Sequence, residues 1–118
     1  NAAASIKACP TGWHLPSSKE WDDLASAVGG MSVAGGKLKE TGIQHWVNPN
    51  VAAENSFGFT GLPAGSIHIG ALRDRGSDGY WWANDQITFY YASASLAQMR
   101  TKSTATPDNG LSIRCVKD

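Results

Sequence analysis

The sequence predicts an α+β fold, with helices first and a twisted antiparallel sheet after them. Three observations carry this. A capped amphipathic helix is written into residues 17–28. The last third of the chain is rich in aromatic and β-branched residues. Asp108-Asn109-Gly110 is a turn signal just before a final, partly alternating stretch.

The helix is the most legible element. Ser17 caps it and Glu20 stands three residues on, so the pair reads as a capping box. Trp21, Leu24, Ala25 and Val28 follow at i, i+3, i+4 and i+7, one apolar face. Asp22 and Asp23 lie near the positive end of the helix dipole. Gly29-Gly30 supplies the stop. Trp13, in the loop before the helix, is expected to pack close to Trp21.

The remaining elements are read in order. Residues 2–8 form the last turn of a helix, and 33–40 a short helix weakened by Gly35-Gly36. Residues 41–58 hold no period, and an irregular stretch of that length is usually functional or specially packed. Short strands are expected at 59–62 and 66–69, on either side of Pro63-Ala64-Gly65. Residues 73–79 form a turn-rich loop. Gly79-Tyr80-Trp81-Trp82 enters a strand, 87–96 forms the next, and 99–104 is its hairpin partner. In 111–116, alternation places Leu111, Ile113 and Cys115 on one face.

Composition narrows the function classes. A chain of 118 residues makes one domain with a core of its own. Ten basic and ten acidic residues cancel, so bulk charge draws it to neither nucleic acid nor an anionic membrane. Charged residues make up 17%, below the roughly 25% of an average chain, so the surface is largely Ser, Thr, Asn, Gln and Gly. That composition fits secreted or surface-displayed proteins. No leader and no apolar run long enough to insert into a membrane stands in the sequence.

Cys9 and Cys115 lie near opposite ends. Joined, they close nearly the whole chain into one loop, for which loop-closure entropy assigns about 4–5 kcal/mol. The alternative is two buried thiols in a cytosolic protein.

Five blocks of residues carry a resemblance. They are Cys9 to Pro16 followed by Glu20-Trp21; Gly35 to Gly42 with Trp46; Gly58 to Gly65; Gly79 to Trp82; and Gly110 to Asp118. In this order they resemble the Fibrobacter succinogenes major paralogous domain family. Leu15-Pro16…Glu20-Trp21 and the Arg-containing last strand are also similar to the formylglycine-generating enzymes. The resemblance implies a C-type-lectin-like fold with its chain ends close together, which a Cys9–Cys115 bridge suits. Relative to the family pattern, the chain lacks an N-terminal segment holding a strand and most of the first helix. The final strand, 111–117, is therefore expected to present an open edge for pairing with that segment or with another chain.

Catalysis finds little support in the motifs. There is no Gly-x-Ser-x-Gly elbow, and phosphate-loop patterns are absent. His14, His45 and His68 are scattered. Formylglycine-generating enzymes use a cysteine pair near the C-terminus, where this chain has Cys115 alone. No cofactor is expected. Calcium-dependent lectins use a Glu-Pro-Asn-like tripeptide and Trp-Asn-Asp. Trp82-Ala83-Asn84-Asp85 has an extra Ala and Asn48-Pro49-Asn50 lacks a carboxylate, so both halves of that pattern are broken.

The expectation is a secreted or surface-displayed binding domain, on a cell or a phage particle, rather than an enzyme. Its partner is a protein or carbohydrate at a surface, not nucleic acid. The alternative is a calcium-dependent carbohydrate-binding module. Residues 9–46, 57–70 and 110–118 are assigned to scaffold, and the recognition face to 74–108. Residues 83–108 depart from the family pattern, as in lectin-like proteins diversified by retroelements. The contact set is Trp82, Asn84, Asp85, Gln86, Phe89, Tyr91, Ser93, Ser95, Gln98 and Arg100, with whichever of Trp81 and Trp82 faces inward behaving as core.

Overall fold

Helix α2 (Ser18–Ala27) forms where its cap predicts. Ser17 Oγ accepts from the Glu20 amide at 3.1 Å, and Glu20 Oε2 accepts from the Ser17 amide at 2.9 Å, a complete capping box. The computed structural model describes residues 1–118. A short helix α1 (Ala2–Ile6) and strand β1 (Trp13–His14) precede α2, and α3 (Met31–Leu38) follows it. Strands β2 (Ser66–His68), β3 (Ala71–Arg73), β4 (Asp78–Trp82), β5 (Phe89–Ser93), β6 (Met99–Lys102) and β7 (Val116–Lys117) complete an α+β chain with antiparallel sheets.

The strands form three sheets: β4-β5-β6, the hairpin β2-β3, and β1 paired with β7. The main core lies between α2, α3 and the inner face of β4-β5-β6. Trp21, Trp46, Trp81 and Tyr90 are all buried there. Trp21 stacks on Tyr90 at 5.5 Å, and the Tyr90 hydroxyl donates to Asp22 Oδ1 at 2.6 Å, tying α2 to the sheet. The glycines of α3 fit this packing. A Cβ at Gly35 would collide with the Gln98 carbonyl, and one at Gly36 with the Ala52 carbonyl. Close backbone approach thus offsets the poor helix propensity of this pair.

Lys39, directly after α3, is fully buried. Its ammonium donates to the carbonyls of Val51, Ser93 and Leu96, at 2.8, 2.9 and 3.1 Å, and lies over the Trp46 ring. Three acceptors match its three donors, so this charge anchors the irregular stretch 41–58 to the sheet. Burial pushes its pKa down to about 8.

Cys9 and Cys115 form a disulfide with Cα atoms 5.7 Å apart. It joins the loop before α2 to the segment that returns to it.

Three expectations are corrected. Residues 59–62 are not a strand. Thr60 has a left-handed backbone (φ 55°), its amide bonds to the Asn55 side chain, and only Gly61 bridges, to Lys39. The expected strand 111–117 survives only as β7. Ser112 exchanges hydrogen bonds with Tyr80 and Trp82 of β4, while the disulfide draws the following residues to β1. Trp13 is exposed and does not pack on Trp21.

Candidate recognition groove

Alternation along β4, β5 and β6 sorts their side chains onto two faces. Trp81, Tyr90, Ala92 and Met99 point into the main core. The other face carries Tyr80 and Trp82 from β4, Phe89 and Tyr91 from β5, and Arg100 and Lys102 from β6. Register pairs Tyr80 with Tyr91 and Tyr91 with Arg100, and likewise Trp82 with Phe89 and Phe89 with Lys102.

This outer face is divided. At one end Trp82 is covered by Ala2 of α1, Leu15 and Ala105, a second small core. The assignment of Trp82 to the contact set is corrected on this ground: it points outward from the sheet, yet α1 and its neighbours bury it completely. Both Trp81 and Trp82 are core residues.

Beyond Trp82 the face opens onto an aromatic floor. The rings of Tyr80, Phe89 and Tyr91 lie 5.5–5.9 Å apart. The Lys102 ammonium sits 5.9 Å above the Tyr91 ring. The Tyr80 hydroxyl donates to Asp74 Oδ2 at 2.9 Å and lies 3.2 Å from Asp78 Oδ2. Burial, together with these carboxylates, raises the Tyr80 pKa far above the usual phenol range.

The β2-β3 hairpin forms the opposite wall. Between it and the floor runs a groove of about 250 Å³, lined by Ser66, His68 and Arg73 of the hairpin, the three aromatic rings, Lys102, Asn109 and Leu111. Asn109 Nδ2 lies 2.8 Å from His68 Nδ1, pinning the turn after β6 to the hairpin. None of the ion pairs in the structure involves Arg73, Arg100 or Lys102.

The chain matches the family described as the Fibrobacter succinogenes major domain over residues 1–117. It belongs to that family. No curated protein and no solved structure matches it. In this Fibrobacter succinogenes major domain, the groove is bounded partly by residues read as scaffold, Ser66, His68 and Leu111.

The expected contact residues fall into three groups. Phe89, Tyr91 and Arg100 come together on the outer face. Asn84, Asp85 and Gln86 form the turn at one end of the sheet. Ser93, Ser95 and Gln98 lie at the other end, about 13 Å away along a five-residue strand. Within the turn, Asp85 has a local task. Burial pushes its carboxyl up, but the hydrogen bonds it accepts from the Thr88 hydroxyl and the Thr88 and Ile87 amides outweigh this and hold it below the usual carboxylate range. Asn50 donates to the carbonyls of Glu40 and Gly42. The Asp85 carboxylate and the Asn50 amide nitrogen are thus engaged in internal hydrogen bonds, while the buried Asn50 Oδ1 has no hydrogen-bond partner. Nowhere do three or more His, Cys, Asp or Glu side chains gather in a metal-like group.

Tyr80, Lys102, His68 and Arg73 line the groove without being in the expected contact set, although Tyr80 and Lys102 fall within the expected face 74–108. Two carried a signal: Tyr80 is two residues before Trp82, and Lys102 two after Arg100, so strand alternation puts them on the face already chosen. His68 and Arg73 carried none, because a separate hairpin brings them there.

Proposed function

We propose that this domain is a non-catalytic recognition module that works at a cell or particle surface. The ligand binds on the outer face of β4-β5-β6 and in the groove beneath the β2-β3 hairpin. The observation that carries the reading is an open aromatic floor bordered by cations that have no ion-pair partner. Tyr-rich, half-exposed surfaces of this kind provide large contact area at low conformational cost. The disulfide supports a binding rather than a redox role, since it ties up the one cysteine near the C-terminus. It also suits an oxidising compartment. No helix is long and apolar enough to cross a membrane.

The reading includes a C-type-lectin-like scaffold, on which the strand ladder fixes the backbone whatever the outward side chains are. It also includes diversification of those outward codons. Deep sequencing of this coding region in natural isolates tests that element: substitutions should concentrate at Tyr80, Phe89, Tyr91 and Arg100 and spare Trp81, Tyr90 and Ala92. An even spread would count against it.

The test of function itself is binding. The domain is screened on arrays of glycans and peptides beside a Tyr80→Ser/Tyr91→Ser variant. The wild type should bind a defined class that the variant loses. Binding that survives in a folded variant places the site elsewhere and overturns the reading.

A further inference from the structure

We propose that the groove and the free edge of β3 bind an extended segment of a partner protein in which acidic residues alternate with apolar ones. This rests on the recognition reading above and adds the chemistry of the ligand to it.

Charge is the first support. Arg73 and Lys102 line the groove from opposite walls, and no carboxylate lines it. Among the surrounding carboxylates, Asp74 and Asp78 face the Tyr80 hydroxyl, and Asp108, near His68, accepts from the Thr106 hydroxyl. Over the whole chain the charges cancel, so this is a local excess. A carboxylate entering the groove meets two cations without partners and forms charge-assisted hydrogen bonds.

Size is the second. At about 250 Å³ the groove is smaller than the roughly 300–1,000 Å³ of small-molecule sites. It accommodates one side chain at a time, so it reads a local feature of a larger ligand.

The hairpin decides between polypeptide and saccharide. Its faces alternate: Ser66, Arg73 and His68 line the groove, while Ile67 and Leu72 pair on the other side. Ile67 and Leu72 are exposed, and Ile69, directly after β2, is 79% exposed. Exposed aliphatic side chains gain nothing from a polyanionic sugar, whereas an apolar side chain of a polypeptide buries them. β2 is flanked by β3 and, through Ile67, by Gly110, while β3 pairs with β2 alone. The far edge of β3 therefore offers its backbone to an added strand. Such a strand places alternate side chains beside Arg73 on the groove side and beside Leu72 on the other.

The test uses the intact domain and synthetic probes, with binding followed by calorimetry and by amide chemical shifts. The probes are an octapeptide alternating Glu and Val, its Gln–Val counterpart, the Glu–Val peptide N-methylated along one edge, and an oligogalacturonate. The Glu–Val peptide should bind about tenfold more tightly than the Gln–Val peptide, the effect of one charge-assisted contact. Its affinity should fall with salt, N-methylation should abolish binding, and shifts should map to residues 66–73 and 100–102. An Arg73→Gln/Lys102→Gln domain should lose the preference for Glu. Equal binding of the Glu and Gln peptides, indifference to N-methylation, or no binding of the Glu–Val peptide overturns the proposal. So does oligogalacturonate binding in the groove without peptide binding, an outcome that leaves the recognition reading standing. Shifts confined to residues 45–55 overturn both.

Discussion

Trp82 and Phe89 are cross-strand partners on the same face of one sheet, yet Trp82 is completely buried and Phe89 is not. The boundary between the covered and the open part of this outer face runs between these two side chains. On one side Ala2, Leu15 and Ala105 close over the indole; on the other the face is open to the groove.

Trp82→Ala should therefore cost about 3–5 kcal/mol, as truncation of a buried aromatic does. Thermal denaturation checks it. A melting temperature within a couple of degrees of wild type would mean that α1 does not cover Trp82 in solution.

Trp21 is predicted to be at least as costly. It contacts Tyr90, Trp81 and Phe59 and donates to the Trp82 carbonyl at 3.3 Å. Trp21→Ala should lose roughly 3–5 kcal/mol in denaturant unfolding, a large share of the stability of a small domain. A surface-sized effect would contradict its place in the core.

The capping box should show as non-additivity. Ser17→Ala should cost about 1 kcal/mol, and Glu20→Ala should overlap with it because the two form one reciprocal pair. Equilibrium unfolding of both single mutants and the double mutant gives the coupling. Full additivity would mean that the two side chains act separately.

His14 gives a pH dependence with a definite sign. Its ring nitrogens lie 2.7 Å from carboxylate oxygens of Asp118 and Glu20, and these bonds raise its pKa above the ordinary 6.5. The unfolded chain then binds fewer protons than the folded one between the two values. The contribution of His14 is complete below about pH 6.5, and it is lost as the pH rises through the raised value. Melting temperatures from pH 5 to 9 should fall over that window in wild type and flatten in His14→Gln. An unchanged profile in the variant would show that the pair with Asp118 and Glu20 does not persist in solution.

Local signals made much of the fold legible. The capping box placed α2, and the run of aromatic and β-branched residues placed β4, β5 and β6. What the sequence did not show depends on distant contacts. Gly35 and Gly36 read as helix breakers, and only the close approach of the Gln98 and Ala52 backbones explains them. Residues 111–116 alternate like a strand, but Ser112 and Cys115 are drawn to different partners. Strand alternation puts Phe89, Tyr91 and Arg100 on one face, as their register shows. Trp82 was misplaced because alternation gives the direction of a side chain and not what lies over it. His68 and Arg73 come from a hairpin whose position against the sheet has no local signature.

The central claim is that the outer face of β4-β5-β6 is the binding surface. Its most direct test is the array screen with a Tyr91→Ala/Arg100→Ala variant, read together with its melting temperature. These half-exposed and exposed positions should change stability only within the small range of surface sites. The account predicts that the variant melts close to wild type and loses the bound ligand class. A variant that melts like wild type and still binds would contradict it.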